Sequence, residues 1–151
     1  MLAEPHLDFE IHYRRLKNMY ITSPINTFYD PSIHLSPGNA EIEIEVAEKF
    51  FHGGQAVHGS VYFKLLDDAA FFGVSTCETE VFVLTIAFTT YLTRPVSSGR
   101  LKAVGTLVNQ NRTQFIAESV VYNNGKEVGR GNGVFVRSHN RLMDIEAYRK
   151  A

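Results

Sequence analysis

One short stretch, FFHGGQAVHGSVYFKLLDDAAFF from Phe50 to Phe72, holds most of the groups in this chain that could do chemistry. Asp67 and Asp68 sit side by side in an otherwise apolar run. A carboxylate taken out of water is costly unless it is paired or neutralised, so an acid kept there has either a structural partner or a chemical task. Lys64 reaches Asp68 at the i,i+4 spacing and Asp67 at i,i+3, so either acid can be half of a helix ion pair. Neighbouring helical residues point about 100° apart, and only one of the two can face a given cleft. The residues alone leave that choice open. Gly59, at the start of the same run, offers an unblocked N–H at the positive end of a helix, where negative charge can be received. Ser60 beside it fits a helix cap. His52 and His58 fit hydrogen-bonded turn positions, with His52 also able to position a carbonyl or a water. No third ligand stands at a recognised zinc spacing, and no metal is expected.

These groups need a helix to carry them. Val61, Leu65, Ala69 and Phe72 form one apolar stripe, and Phe63, Leu66, Ala70, Gly73 and Cys77 form another. Such a helix is buried centrally, with Cys77 and most of the phenylalanines as core. Before it, EIEIEVAE from Glu41 to Glu48 alternates as a half-buried strand does. After it come four β-rich segments, near Val81–Thr93, Arg100–Asn109, Gln114–Tyr122 and Glu127–Arg137, read as an antiparallel meander. Asn124-Gly125 marks a hairpin between the last two. Ahead of everything, Phe9, Tyr13, Leu16, Met19 and Tyr20 follow Asp8 at helical spacing, predicting a capped amphipathic helix. SPINTFYDPSIHLSPGNA then reads as a connector without elements. The expectation is one α+β domain: an N-terminal helix and connector (1–39), a curved sheet around a central helix (40–138) and a C-terminal tail (139–151).

The formal charge of −1 gives no electrostatic footprint for a nucleic acid or an anionic membrane surface. Cys77 is the one cysteine and cannot form an internal disulfide. The opening MLAEPHLDFEIHYRR carries acids and lacks the apolar core of an export signal, which predicts a cytoplasmic protein. No apolar run has membrane-spanning length. GRGNG places Gly129, Gly131 and Gly133 on one strand face. It is not a dinucleotide fingerprint, and close packing of helix on sheet explains it, with room for a pantetheine or acyl chain as the functional alternative.

The strand, the HG of His58-Gly59, an acid nine residues after that histidine, and LTIAFTTYLTRPV from Leu84 to Val96 together resemble the hotdog-fold acyl-CoA thioesterases, in particular the PaaI-like group of phenylacetate metabolism. The resemblance covers roughly Ala40 to Arg137. It implies a hotdog fold, with Gly59 supplying a backbone N–H to the thioester oxygen, Asp67 rather than Asp68 acting as base or nucleophile, and Thr85 helping to hold water. The group often carries Asn or Gln where this chain has His52. His58 and Ser60 would support the substrate end, and Arg94, Arg112 and Arg130 are candidates for the coenzyme A phosphates, the ordinary reading of each being solvated surface charge. No cofactor is implied, coenzyme A being part of the substrate.

Gly59 and Asp67 are eight residues apart, roughly 12 Å along one helix, and cannot act on one carbonyl carbon within a subunit. If both are catalytic, Gly59 of one chain faces Asp67 of another across a two-fold axis, which predicts a homodimer or a dimer of dimers. A hotdog dehydratase or hydratase using His52 and Asp67 is the alternative enzyme, although HGGQAVHG lacks the prolines usual around its histidine. A domain that binds acyl-CoA without cleaving it is a third reading, and one that gives Asp67 no purpose.

Overall fold

The computed structural model describes residues 8–151; the first residues of the opening stretch read above for an export signal lie outside it. Helix α1 (Phe9–Ile21) starts where Asp8 caps it, its Oδ1 accepting from the N–H groups of Glu10 and Ile11. His12, Leu16, Met19 and Tyr20 form its buried stripe, while Phe9 stays exposed. His12 is in this stripe because it can satisfy both ring nitrogens there. Nε2–H donates to the Ser75 carbonyl at 2.8 Å, so Nδ1 accepts from the Tyr148 hydroxyl at 2.6 Å. Burial holds this imidazole below its ordinary pKa, keeping it neutral.

The connector is more structured than its prolines suggest. It forms α2 (Asn26–Tyr29) and β1 (Ser32–Ser36), and β1 pairs antiparallel with β2 (Asn39–Glu45). In β2, Ala40, Ile42 and Ile44 are buried, as the alternation of acids and aliphatics requires. Helix α3 (Gly59–Ser75) follows, then β3 (Val81–Leu92), β4 (Arg100–Gln110), β5 (Gln114–Asn123) and β6 (Lys126–Arg141). The C-terminal stretch is not a bare tail, since a 3-10 turn and α4 (Glu146–Arg149) pack Leu142 and Tyr148 into the core. No described helix is long and apolar enough to cross a membrane.

The six strands form one antiparallel sheet in the order β1-β2-β4-β5-β6-β3. Only β4, β5 and β6 are a meander. β2 occupies the free edge of β4, from Asn39 opposite Thr106 to Glu45 opposite Arg100, so β3 pairs with β6 at the far edge instead. The β5–β6 hairpin turns on Asn124 and Gly125, whose φ values of 51° and 77° are the left-handed pair that a type I′ turn requires.

α3 lies against the inner face of this sheet. A Cβ at Gly105 of β4 would stand 2.1 Å from the backbone of Ala69, so the helix backbone rests directly on that glycine. Ser119 of β5 adds a buried hydrogen bond to the Leu66 carbonyl at 2.7 Å. The helix is not closed all round: Phe63 is 42% exposed, Cys77 beyond its end is exposed, and Lys64, Asp67 and Asp68 are half-buried. That open stripe carries the chemistry.

Candidate active site

The row Gly59, Phe63, Asp67, Phe71 runs along α3 at a spacing of four residues, and β3 meets it residue by residue. Leu92 covers Gly59, with its Cδ1 2.9 Å from where a Cβ would be. Phe88 meets Phe63 edge-on at 5.7 Å, Thr85 meets Asp67, and Phe82 meets Phe71 at 5.3 Å. In an unbroken strand Thr85 and Phe88 would point to opposite faces. The register shift between Thr85 and Ala87 brings both to the helix.

Asp67 and Asp68, equivalent by spacing, are separated by their partners. Asp68 forms the ion pair with Lys64 and accepts the Tyr20 hydroxyl at 2.8 Å, a contact made by α1 from 48 residues away. Lys64 also lies over the rings of Tyr20 and Tyr29. Asp67 has one hydrogen-bond donor among the described residues, the Thr85 hydroxyl at 2.9 Å. Burial pushes its carboxyl up to about 6, the Thr85 bond pulls it down, the neighbouring Asp68 charge pushes it up, and Lys64 pulls it down. At pH 7 it is mostly ionised and poised to take a proton. Replacing Thr85 with Val keeps the shape and removes the opposing hydrogen bond, so Asp67 should titrate still higher. A carboxyl-carbon NMR titration showing no upward move would contradict this assignment of the bond.

Asp67 and Thr85 open onto a cleft of about 240 Å³, walled by Phe71, Phe72 and Phe82 and by residues of α1 and the turn after it. Those phenylalanines therefore face a cavity as well as the core. Gly59 opens onto a different cleft of about 270 Å³, with His52, Tyr62, Leu92 and Arg94. The two clefts share no residue. Within one chain, the structure does not bring Gly59 and Asp67 together.

His58, not Ser60, is the N-cap of α3. Its Nδ1 accepts the Ser60 N–H at 3.0 Å and lies 2.8 Å from the Ser60 hydroxyl. His52 is exposed, its Nδ1 accepting the Gly54 N–H at 2.9 Å. Arg94 borders the Gly59 cleft, where the Tyr62 hydroxyl holds its carbonyl at 2.8 Å. Arg130 pairs with Glu127 on the surface, and Arg112 stands in the β4–β5 turn, lining neither cleft. Gly131 and Gly133 serve strand-on-strand rather than helix-on-sheet packing: a Cβ on either would meet the Phe88 ring at 2.5 Å and a β3 carbonyl within 2.7 Å. No sequence signal marks Tyr20 or Tyr62 as part of the site, since nothing local links a helical tyrosine to an acid or a loop so far away in sequence. Among the described residues no cluster of three His, Cys, Asp or Glu side chains could hold a metal.

Residues 54–129 match the family model of the thioesterase superfamily. No curated protein matches the chain. Among solved structures, the PaaI protein of the E. coli phenylacetic acid degradation operon is similar over 87% of this chain and 96% of its own, with a TM-score of 0.79 at 20% identity. The phenylacetic acid degradation protein PaaI of Thermus thermophilus, in a mutant form, is similar over 77% of this chain and 100% of its own, with a TM-score of 0.70 at 24% identity. A thioesterase enzyme of Staphylococcus aureus, also a mutant, covers 76% and 98%, with a TM-score of 0.71 at 16% identity. At these identities the likeness carries the fold, a hotdog.

Proposed function

We propose that this chain, which belongs to the thioesterase superfamily, hydrolyses acyl-CoA thioesters to the free acid and coenzyme A. The observation that carries the reading is Asp67: a half-buried carboxylate with its titration raised to about 6, oriented by Thr85 and open to a cleft, beside an Asp68 already committed to Lys64 and Tyr20. Asp67 either deprotonates a water held with Thr85 or attacks the carbonyl itself, giving a mixed anhydride that water then opens. Negative charge develops on the thioester oxygen and is received by the N–H of Gly59, the first residue of α3, which lacks an intrahelical partner. Collapse breaks the carbon–sulfur bond: where Asp67 acts as base it returns the water's proton to the leaving thiolate, and where it acts as nucleophile the thiolate takes its proton from solvent.

Both groups reach one carbonyl only if a second copy supplies one of them. Phe63 lies midway between Gly59 and Asp67, and Phe88 packs on it midway between Leu92 and Thr85. A two-fold axis through that aromatic pair superposes the Gly59 end of one chain on the Asp67 end of the other. The surface there suits such a contact: β3 is an edge strand of 12 residues, and Phe63, Leu84, Ile86, Tyr91 and Leu92 are all exposed. Arg94, exposed and lining the Gly59 cleft, supports the reading as a cation for a coenzyme A phosphate.

A panel of acyl-CoA esters tests the reading. Free thiol should be released with saturation. A change in enoyl absorbance without thiol would instead mark a dehydratase using His52 and Asp67. Saturable binding with neither product would mark a binding domain.

A further inference from the structure

The Asp67 cleft has two walls of different origin. Phe71, Phe72 and Phe82 form one, on α3 and β3 inside the residues that match the thioesterase superfamily. The other comes from Met19, Tyr20, Ser23, Ile25 and Asn26, all N-terminal to the matched residues 54–129. This second wall is fixed in place by its own bonds. The Tyr20 hydroxyl is tied to Asp68 at 2.8 Å, the Asn26 side-chain amide donates to the Tyr20 carbonyl at 2.7 Å, and the Ser23 hydroxyl to the Met19 carbonyl at 2.8 Å. Tyr20 further packs edge-on against Phe72 at 4.8 Å. Ile25 borders the cleft and is 58% exposed, so it stands at the solvent edge, with the acid further in.

We propose that this N-terminal segment is the acyl-length ruler of the enzyme, with Ile25 the residue that sets the longest chain admitted. The inference rests on the thioesterase reading for the identity of the occupant. The cavity, at about 240 Å³, lies below the roughly 300–1,000 Å³ of sites for drug-sized ligands, and its aromatic lining favours an apolar guest. The occupant is therefore a short apolar acyl group, its carbonyl at Asp67 and its far end against Met19 and Ile25.

The test is the profile of kcat/KM against straight-chain acyl length for the wild type, Ile25→Ala and Ile25→Trp. The isoleucine is largely in water, so neither substitution should prevent folding. Ile25→Ala should move the optimum to longer chains, each further methylene admitted raising kcat/KM about fourfold. Ile25→Trp should move it to shorter chains. A calorimetric titration of the same esters, repeated in an Asp67→Asn background, reads the ruler without turnover. A wild type that releases no thiol, but whose affinities depend on chain length and shift with residue 25, overturns the hydrolase and keeps the ruler. Three superimposable profiles, or affinities indifferent to residue 25, overturn the ruler whatever the turnover.

Discussion

Asp67→Asn should remove most of the turnover and at the same time make the protein more stable at neutral pH. The amide keeps the shape and can still accept the Thr85 hydroxyl, but it cannot take a proton or attack, a loss of about 10²–10⁴-fold for a group in this role. The stability gain follows from linkage. Asp67 titrates near 6 in the folded chain against an ordinary 3.8, so between those values the native state binds more protons than the unfolded one and stability falls as pH rises. Above about pH 6 the penalty is complete, at most about 3 kcal/mol. Because the carboxylate keeps partial contact with water, about 1–2 kcal/mol is expected, or roughly 2–8 °C in Tm. The neutral Asn escapes the penalty, so its advantage should be full at pH 7.5 and gone near pH 4. Asp68→Asn should show the opposite pattern. It leaves the Lys64 ammonium, 11% exposed, without its partner and should lose about 1–3 kcal/mol while keeping much of the activity. Thermal melts at the two pH values beside steady-state rates decide the matter; if Asp68→Asn is the inactive and stabilised variant, the two acids have been assigned the wrong way round.

The same pair shows where sequence reading stops. The apolar run around Asp67 and Asp68 announces a central helix, and Glu41 to Glu48 a strand, because both signals are local periodicities. What separates the two acids is Tyr20, which arrives on another helix, and no spacing within α3 reports it. The position of Thr85 was carried by resemblance alone, since strict alternation along β3 would have pointed it away from the helix that Phe88 meets; the irregularity before Ala87 has no signature in the residues. Strand pairing is non-local in the same way. Alternation gives β3 a buried face but no partner, and β6 takes it because β2 already holds β4. The short β1 was hidden between Pro31 and Pro37, with only Ile33 and Leu35 to mark its inner face. Among the glycines, GRGNG stands out by repetition, while the one on which the helix rests is the solitary Gly105.

Mixing two inactive variants should restore activity. Gly59→Val puts a branched side chain where the substrate carbonyl must approach, and a Cβ there meets only the end of the Leu92 side chain, 2.9 Å away, which can turn aside. The helix should form, and the variant should be nearly inactive, as should Asp67→Asn. Unfolded together and refolded at equal concentration, about half of the dimers are mixed. In each of these, the intact Gly59 comes from the Asp67→Asn chain and the intact Asp67 from the Gly59→Val chain. One site of the mixed dimer receives both, and the other receives both lesions. Half of the dimers with one of two sites gives roughly one quarter of wild-type activity per subunit. No arrangement that completes a site within one chain can produce this, because no chain in the mixture carries both groups. The proposed reaction calls for such a partner, because the Gly59 and Asp67 clefts are separate in the single chain. A mixture that stays inactive although native mass spectrometry finds mixed dimers would remove the shared site, and with it the reason to place the two-fold axis at Phe63 and Phe88.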